Sequence, residues 1–367
     1  MRVIHLSYAV PKPKFTDPAA WLRRINFSIG VLESMTRYAE ILGIYHIDHK
    51  GVVEKNGVTY HFPGYKRWGL LLPLGFNRFV KGLAPDVIIV HGLIFPWQVV
   101  MLRYTLGTKV KIIAQHHAER PFKDIRQFMQ RWADRFIGAY LFCSFDLARP
   151  WVDSKQISDL NKVREIMGTS SSFFPADKNA AWTTTGVSGD PVFLWVGGLD
   201  PNKDPLTVAR SFIKFSTVNP SARLFMIYQT NQLLEELKSL ISRANAENYI
   251  KLVGKIENPD LIHWYNSADF IVSSSHYEGS GIAVCEGLSC GCIPILTNIP
   301  SFRMMTDQGR IGLLFEAGNE TDLLAVLQKS LMIDRSEERK KLLEQFNSEL
   351  SFEANARKIM AVINEIT

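Results

Sequence analysis

Two glycine-flanked turns carry the charged side chains of this 367-residue sequence whose spacing best suits chemistry. The longer turn reads Glu278-Gly279-Ser280-Gly281-Ile282 and lies between a strand-like apolar run and a helix-like run. Glycine lets the backbone approach a ligand closely, and the N–H groups at a helix start form an anion site suited to phosphate. We therefore expect an anionic group to bind where this helix begins.

A second carboxylate, Glu286, follows Glu278 after eight residues. Along a helix that rises 1.5 Å per residue, this spacing corresponds to roughly 12 Å. That is about the span of a nucleotide sugar from its hexose, past its diphosphate, to its ribose. One carboxylate would then bind sugar hydroxyls and the other ribose hydroxyls. The alternative is that Glu278 caps the helix and Glu286 faces solvent.

The shorter turn contains Gly197, Gly198 and Lys203, and it also connects a predicted strand to a predicted helix. A lysine at such a turn is a point charge where a diphosphate-binding lysine belongs. The alternative is a solvated lysine in an Asp-Pro turn. The neighbouring pair of carboxylates favours the binding role.

Short apolar runs alternate with stretches of helical periodicity along the chain, which favours parallel sheets with helices on both faces. Strands are expected at residues 2–7, 52–53, 58–61, 87–90, 110–114, 139–143, 192–197, 224–228, 250–253, 270–273, 293–296 and 312–315. Helices are expected at residues 27–42, 96–104, 122–137, 336–346 and 352–366. The short strands 52–53 and 58–61 are expected to form a hairpin.

This alternation predicts an α/β protein with two Rossmann-like, parallel-sheet domains. We place the first at residues 1–178, a linker rich in small and polar residues at 179–190, and the second at 191–350. Ligands of such open sheets bind at the carboxyl ends of the strands. A cleft where the two domains face each other is therefore the expected site.

Charge is distributed unevenly along the sequence. Residues 1–175 carry 24 Lys and Arg against 13 Asp and Glu, a net charge of +11, whereas the remainder has a net charge of −5. A positive domain attracts anionic ligands or an anionic membrane surface. Nucleic acid is not expected as a partner, because no basic helix with regularly spaced stacking aromatics is present.

The sequence has no feature typical of a secreted or membrane-spanning protein. Its first residues lack a secretory apolar segment, and no window holds eighteen uninterrupted apolar residues. The four cysteines, Cys143, Cys285, Cys290 and Cys292, are expected to be buried thiols rather than disulfides or zinc ligands. We expect a cytoplasmic protein, with peripheral contact at the inner face of the membrane left open.

Residues 64–79 are the stretch considered for contact with a membrane. They mix cations, aromatics and leucines, and such a mixture could lie on an anionic membrane. Gly69, Pro73 and Gly75 interrupt any amphipathic helix there. The favoured interpretation is therefore a loop and an ordinary helix packed on the first domain.

The motifs within residues 190–330 resemble those of family 4 glycosyltransferases. The matching positions are Gly197, Lys203, Gly254, Glu278-Gly279-Ser280-Gly281, Glu286, 290–294, 298–301 and 312–315. The resemblance implies a retaining, nucleotide-sugar-dependent enzyme with the GT-B fold. It also implies that the first domain binds the acceptor and that the C-terminal helix, at residues 351–367, returns to that domain.

The resemblance further implies a role for each matched side chain. Lys203 would hold the donor phosphates, and Glu278 would contact the donor sugar. The backbone of Gly279, Ser280, Gly281 and Ile282 would assist Glu278, and Gly197 and Gly198 would also line the donor site. Glu286 would bind the ribose.

Two further parts of the donor site follow from the same resemblance. Lys255 and Ile256, after Gly254, would edge the base pocket. A histidine at the end of the predicted strand 110–114 would approach the sugar, and both His116 and His117 are candidates. The alternative for either histidine is a hydrogen-bonded residue at a strand end.

The sequence departs from the family pattern in two places. Gly198 stands where the family usually has an arginine, so one phosphate charge is unmatched or is met by another arginine. The first strand–helix loop lacks the usual paired glycines. Trp21, Arg23 and Arg24 are the residues that could substitute in that loop.

We expect the reaction to proceed without a metal or other cofactor. No Asp-x-Asp motif occurs in the chain, and Lys203 with the helix start could stabilise the leaving diphosphate. Two-carboxylate glycosidase chemistry requires side chains about 5–10 Å apart, and the rough 12 Å estimate for Glu278 and Glu286 fits that range poorly. The family implies same-face attack by the acceptor hydroxyl, with the leaving phosphate as proton acceptor.

The expected function is transfer of a sugar from a UDP- or GDP-linked donor to a saccharide or lipid-linked saccharide, in cell-envelope polysaccharide or glycolipid assembly. A sugar-nucleotide epimerase or a phosphorylase on the same architecture finds less support, since their additional groups are not evident. The remaining alternative is a catalytically weak or non-catalytic GT-B member that acts as a sugar-nucleotide-binding or scaffold protein.

Overall fold

The protein folds into two compact units. The computed structural model describes residues 1–12, 14–65 and 67–367, without the side chains of Arg67 and Trp68. Unit 1 comprises Met1–Ser170 and Phe352–Thr367, and unit 2 comprises Ser171–Ser351. Each unit contains its own sheet.

Unit 1 is built on an eight-stranded sheet with the order β3-β4-β2-β1-β5-β6-β7-β8. The strands are β1 (Arg2–Leu6), β2 (Glu40–Ile44), β3 (Lys50–Lys55), β4 (Val58–Pro63), β5 (Val87–His91), β6 (Lys111–Gln115), β7 (Ala139–Phe142) and β8 (Val163–Glu165). All neighbours pair in parallel except β3 and β4, which form the predicted hairpin. The central strands are continuous apolar runs because helices cover the sheet on both faces.

The helices between these strands are α1 (Pro18–Arg24), α2 (Asn26–Met35), α3 (Arg67–Leu71), α4 (Leu74–Gly82), α5 (Pro96–Leu106), α6 (Arg126–Asp134) and α7 (Phe145–Asp153). A short 3-10 helix spans Leu160–Lys162. Helix α1 begins at a side-chain cap, because Asp17 accepts hydrogen bonds from the N–H groups of Ala19 and Ala20.

Unit 2 is built on a six-stranded parallel sheet with the order β11-β10-β9-β12-β13-β14. Its strands are β9 (Val192–Gly197), β10 (Arg223–Tyr228), β11 (Ile250–Gly254), β12 (Phe270–Ser273), β13 (Ile293–Thr297) and β14 (Leu313–Phe315). Its helices are α8 (Lys178–Thr185), α9 (Pro205–Val218), α10 (Leu234–Arg243), α11 (Leu261–Ser267), α12 (Ile282–Ser289), α13 (Pro300–Met305), α14 (Glu320–Ser330) and α15 (Arg335–Gln345). A 3-10 helix spans Asn258–Asp260 and a π-helical turn spans Phe346–Leu350.

A phenylalanine cluster fixes the packing of α9 on the unit 2 sheet. Phe193 on β9 and Phe270 on β12 stack with ring centroids 5.0 Å apart. Phe212 and Phe215 of α9 meet Phe193 edge-on, at 5.4 and 5.6 Å. All four side chains are fully buried. Strands β9 and β12 are therefore held rigidly as neighbours, and the loops that leave their carboxyl ends start from fixed positions.

The last helix, α16 (Phe352–Ile366), belongs to unit 1 and packs against α2. Cε2 of the Phe352 ring lies only 2.4 Å from the place that a Cβ on Gly30 would take. Glu353 accepts hydrogen bonds from Arg37 and Tyr38 at 2.9 and 2.7 Å. Among the described residues, no helix combines the length and the apolar character that crossing a bilayer requires.

The predicted α/β class with two parallel-sheet domains is confirmed, but several element boundaries were wrong. The expected helix 27–42 ends at Met35, and residues 40–44 form β2 instead. Strand β2 is buried between β1 and β4, so its apolar run lacks the alternation that would distinguish it from a helix. The expected helix 122–137 is shorter, at Arg126–Asp134.

The predicted linker at 179–190 also needs correction. The division between the units falls after Ser170 rather than after residue 178, and most of 179–190 lies in α8. Helix α8 is anchored to unit 2, because Trp182 Nε1 donates to the Ser267 carbonyl at 2.8 Å. Small polar residues such as Thr183 and Thr184 suggested a loop, yet their hydroxyls bond to carbonyls one turn earlier within the helix.

The segment 64–79 forms α3 and most of α4 in unit 1. Lys66 and the side chains of Arg67 and Trp68 lie outside the described part of the chain. Phe76 is fully buried, in agreement with the favoured interpretation of a helix packed on the first domain. Leu71, Leu72 and Leu74 are exposed.

Candidate functional site

The two glycine-flanked turns of unit 2 leave neighbouring strands at the same edge of the sheet. Strands β9 and β12 pair in parallel, with Val272 opposite Trp195. The turn 198–204 follows β9 and the turn 274–281 follows β12. Because carboxyl ends of parallel strands meet at one edge, residues 75 positions apart in sequence come into contact here.

Lys203 and Glu278 form a hydrogen-bonded ion pair across these two turns, with Lys203 Nζ donating to Glu278 Oε1. The Lys203 side chain is 30% exposed and that of Glu278 is 13% exposed. Both charges are therefore partly withdrawn from water and compensate each other. The alternative of a solvated Lys203 does not fit this geometry. The alternative that Glu278 caps the helix is not supported either, because the N-cap residue is Gly281 and no side-chain cap hydrogen bond is present there among the residues that the structure describes.

Hydrogen bonds to backbone groups fix the turn that carries Lys203. The Asp200 carboxylate accepts from the N–H groups of Asn202 and Lys203 at 2.9 and 3.1 Å. The hydroxyl of Ser274 donates to the Lys203 carbonyl at 2.6 Å, and His276 N donates to the Asn202 carbonyl at 2.8 Å. The two turns are thus joined through their backbones, and Lys203 is held in place before any ligand binds.

The turn that carries Lys203 also explains why position 198 is a glycine. A Cβ at this position would lie 2.7 Å from Asp200 Oδ2 and 3.1 Å from Thr230 Oγ1. The carboxylate that fixes the turn therefore occupies the space that a side chain at position 198 would enter. The missing arginine was evident from the sequence, whereas Asp200, whose carboxylate takes up this space, was missed.

The N-cap residue of helix α12 is Gly281, whose φ of 56° and ψ of 63° place it in the left-handed region. A Cβ there would also lie 2.6 Å from Cε1 of Phe302. Both the backbone conformation and the packing consequently require glycine. The first N–H groups of α12 have no carbonyl one turn earlier in the helix, and this helix start follows Glu278 in the same turn.

Glu286 is the fifth residue of α12 and is only 6% exposed. Its Oε1 accepts from Asn258 Nδ2 at 2.9 Å and its Oε2 accepts from the Tyr265 hydroxyl at 3.0 Å. Burial raises the pKa of this carboxyl above its usual value, and these two hydrogen bonds oppose the shift. The alternative that Glu286 faces solvent is therefore wrong.

The helical estimate of the distance between the two carboxylates also needs revision. Helix α12 begins at Ile282, so helical rise covers only the residues from there to Glu286, about 6 Å. The remainder of the eight-residue separation is the Gly279–Gly281 turn, whose path is not helical.

Lys255 and Ile256 follow the end of β11, two strands away from β9 along the same sheet edge. Gly254 has a φ of 87°, and no described atom lies within 4 Å of the place that a Cβ on it would take. Lys255 is exposed and its Nζ donates to Glu257 at 2.5 Å. Because Asn258 binds Glu286, this segment is connected directly to α12.

His116 and His117 belong to unit 1, directly after β6, and their environments differ. His116 is buried, stacks on Phe142 at 4.4 Å, and its Nε2 lies 2.8 Å from the Glu119 carbonyl. This is the hydrogen-bonded strand-end arrangement. His117 is exposed and its Nε2 lies 3.1 Å from Nδ1 of His91.

The residues suggested as substitutes in the first loop of unit 1 serve mainly structural roles. Trp21 packs between Phe15 and Tyr45 against the core, with ring centroids 5.1 and 6.2 Å away. Arg23 is exposed, 3.8 Å from Asp17, and Arg24 lies over the ring of Phe15.

The cysteines all lie in the interior, as expected from the sequence. Cys292 donates to the Tyr265 carbonyl at 3.0 Å, and Cys290 lies 3.5 Å from Asn266 Nδ2. Both thiols support the packing beneath α12. Burial raises the pKa of Cys290 to about 12, so it stays a thiol at neutral pH.

Residues 181–347 match the family described as glycosyl transferases group 1. This segment contains both turns, the ion pair, Glu286 and the segment after β11. The match therefore covers the part of unit 2 in which the sequence motifs were found.

Individual relatives match shorter stretches. The chain is 31% identical over 93 residues to a D-inositol 3-phosphate glycosyltransferase of Arthrobacter sp. (strain FB24), covering 25% of this chain and 22% of that protein. It is 30% identical over 119 residues to a GDP-mannose:cellobiosyl-diphosphopolyprenol alpha-mannosyltransferase of Xanthomonas campestris, covering 32% and 31%. The matches thus span between a fifth and a third of the length of these two relatives.

Similarity of fold extends over the whole chain. The structure of HepE from Anabaena in complex with UDP aligns with a TM-score of 0.71 at 14% identity and covers 100% of both chains. At this identity, the alignment shows a shared fold. Residues 181–347 are thus similar to the group 1 glycosyl transferases, and they lie within a chain of two parallel-sheet α/β domains.

Proposed function

We propose that this protein transfers a sugar from a nucleoside diphosphate sugar to an acceptor hydroxyl with retention of configuration. The observation that carries the proposal is the Lys203–Glu278 ion pair beside the start of α12. The cation and the helix N-terminus at this sheet edge suit the phosphates of such a donor, and the carboxylate suits its sugar hydroxyls.

The ion pair suggests how donor binding would rearrange the site. A diphosphate carries more negative charge than one carboxylate, so Lys203 would exchange Glu278 for a phosphate oxygen. Glu278 would then be released to accept hydrogen bonds from sugar hydroxyls. One exchange would thus engage both ends of the donor, and neither charge would be left unpaired in a partly buried site.

The chemical step would depend on stabilising the leaving nucleoside diphosphate. Lys203 and the first N–H groups of α12 are fixed before the reaction, and such fixed donors are most effective where charge develops. The acceptor hydroxyl would attack from the face the diphosphate leaves, and the departing phosphate would take its proton. In this proposal no metal ion takes part.

Glu286 would bind the ribose, and Lys255 and Ile256 would edge the pocket of the nucleotide base. Each carboxylate oxygen of Glu286 holds one protein donor and retains a second lone pair for a hydroxyl. His117, not His116, would approach the ligand, because His116 is enclosed by Phe142 and the Glu119 carbonyl.

The donor base and the acceptor are suggested by the comparisons. HepE binds UDP, and the Xanthomonas relative is named for GDP-mannose and a diphosphopolyprenol-linked saccharide. We propose a UDP- or GDP-linked donor and a saccharide or lipid-linked saccharide acceptor, in envelope polysaccharide or glycolipid assembly.

A panel of nucleotide sugars tests the proposed function. Thermal shift would identify the donor, and mass spectrometry of reactions with polyprenyl-linked and free saccharides would detect transfer. We expect one nucleoside diphosphate sugar to raise the melting temperature and to give a glycosylated product, with and without chelator. Absence of any stabilising nucleotide sugar would contradict the proposal, and loss of activity with chelator would contradict its metal-independent form.

The proposal includes peripheral contact between unit 1 and an anionic membrane. Leu71, Leu72 and Leu74 are exposed, and so are the cations Arg78 and Lys81 of α4. Unit 1 as a whole carries 26 Lys and Arg against 15 Asp and Glu. Apolar side chains that insert at the interface, together with cations that face anionic headgroups, bind additively.

Vesicle sedimentation tests this contact. Binding to phosphatidylglycerol vesicles should exceed binding to phosphatidylcholine vesicles and should fall when all three leucines are replaced by serine. The matched control replaces the exposed Val218, Leu331 and Met332 of unit 2 by serine and should bind as the wild type does. Equal binding by the two triple variants would contradict the membrane contact.

A further inference from the structure

Three histidines of unit 1 form a continuous hydrogen-bonded chain at the carboxyl edge of its sheet. Strands β1, β5 and β6 are neighbours in the sheet, and they bring together His5, His91 and His117. His5 Nδ1 lies 3.0 Å from His91 Nε2, and His91 Nδ1 lies 3.1 Å from His117 Nε2. The chain runs from the interior, where His5 is 1% exposed, to the exposed His117.

Each link in this chain requires one proton, and each neutral imidazole supplies one. With three neutral rings, the protons can be arranged in only two ways. Either all three rings carry the proton on Nδ1 and donate toward His117, or all three carry it on Nε2 and donate toward His5. The tautomer of His117 is therefore fixed by the rings behind it.

The buried end of the chain decides between the two arrangements. His5 Nε2 is buried and has no hydrogen-bond partner among the described residues. If the chain pointed inward, an N–H group would be stranded there, whereas the outward direction leaves only a lone pair. Buried N–H groups without partners are rarer than unsatisfied acceptors, so the outward direction is favoured.

Burial also keeps the inner rings neutral. It lowers the pKa of His5 to about 3. Burial, together with repulsion from His5 and His117, lowers the pKa of His91 well below its usual value. Only with neutral rings are the protons limited to the two arrangements described above.

We infer that His5 and His91 are positioning residues that hold His117 as the neutral Nδ1–H tautomer, so that His117 presents a hydrogen-bond donor to a ligand oxygen. The ligand class is a hydroxyl or phosphate oxygen, and its identification with the sugar donor rests on the proposed function. In this state His117 donates a hydrogen bond to the ligand oxygen and does not act as a base. The other titratable groups that face His117 are Glu119, whose Oε2 accepts from His117 N at 2.7 Å, and His116.

Long-range proton–nitrogen NMR of the full chain with nitrogen-15-labelled histidine tests the inference without a ligand or an activity. The spectrum reports directly which ring nitrogen carries the proton, and His117→Asn assigns the signal. We expect His117 to be the Nδ1–H tautomer from pH 6 to 8. An Nε2–H tautomer in the wild type would overturn the inference, whatever the outcome of the transfer assay.

His91→Phe tests whether the chain is responsible. This variant removes the hydrogen-bond donor to His117 Nε2, so His117 should become a mixture of tautomers and kcat should gain a pH dependence between pH 6 and 8. His91→Asn, which is smaller and keeps polar atoms, serves if the phenylalanine variant does not fold. His49→Gln, an exposed histidine of unit 1 outside the chain, is the control and should leave His117 unchanged. An unchanged His117 in both His91 variants would also overturn the inference.

Discussion

Lys203 and Glu278 are 75 residues apart in sequence, yet Lys203 Nζ donates a hydrogen bond directly to Glu278 Oε1. The contact exists because β9 and β12 are parallel neighbours and both turns leave the same sheet edge. Asn202 strengthens the connection, since its side chain donates to the Tyr277 carbonyl at 3.1 Å. The site is thus a rigid pair of turns rather than two independent loops.

Replacement of Lys203 by alanine should lower turnover more than donor affinity. The lysine meets charge that develops as the diphosphate leaves, so its loss raises the barrier of the chemical step. By comparison with other fixed donors to developing charge, kcat should fall roughly 100- to 1000-fold. Steady-state kinetics with the donor identified by the panel measures the effect.

Lys238→Ala is the matched control for this variant. Lys238 is exposed and pairs with Glu235 on the same helix, so its loss should change neither kcat nor KM. If Lys203→Ala raised KM alone and left kcat unchanged, the assignment of Lys203 to the leaving group would be wrong.

The start of α12 should tolerate no side chain at position 281. Gly281→Ala places a residue with a left-handed φ against the Phe302 ring, so strain and overpacking together should cost about 2–4 kcal/mol of unfolding free energy. Gly254→Ala also has a positive φ but open space, and it should cost about 1–2 kcal/mol. Chemical denaturation compares the two.

A second substitution separates strain from packing at this position. Adding Phe302→Leu to Gly281→Ala should recover part of the loss, because the ring that the new methyl group meets is removed. Equal costs for Gly281→Ala and Gly254→Ala, with no recovery, would show that the close approach of Phe302 has no influence on stability.

The buried Glu286 should make stability depend on pH in a direction opposite to that of a paired surface carboxylate. Its pKa is higher in the folded protein than in the unfolded chain, where it is near 4.5. Its contribution is therefore most favourable below that value and is lost as the pH rises through the folded pKa. Glu286→Gln removes the titration.

Unfolding free energies measured from pH 4 to 7 check this prediction. The wild type should lose stability relative to Glu286→Gln as the pH increases, while Glu344→Gln, at an exposed position, should follow the wild type at every pH. A difference between wild type and Glu286→Gln that is constant across this range would contradict the direction of the pKa shift.

The local features of the site could be predicted from the sequence because their signals are local. Glycines next to a strand and a charged residue within the turn identified Lys203, Glu278 and Gly281. The strands of unit 2 were predicted closely, because each is a short apolar run bounded by polar turns. Strand β2 was not, since burial on both faces removes the alternation.

The partners of the site residues could not be predicted in this way. Asn258 of the 3-10 helix and Tyr265 of α11 reach Glu286 from 28 and 21 residues away. His5 and His91 lie at the ends of two strands whose order in the sheet the sequence does not specify. Such contacts depend on topology, and a strand-end histidine alone gives no indication of what it meets.

The central claim is that unit 2 binds a nucleoside diphosphate along α12, and calorimetric titration with UDP and GDP tests it most directly. One of them should bind the wild type with one site per chain. Loss of a hydrogen bond to a charged group, about 1.5–3 kcal/mol, predicts roughly 10- to 150-fold weaker binding by Glu286→Gln. Glu344→Gln should bind as the wild type does. The claim is contradicted if neither nucleotide binds, or if Glu286→Gln binds as tightly as the wild type.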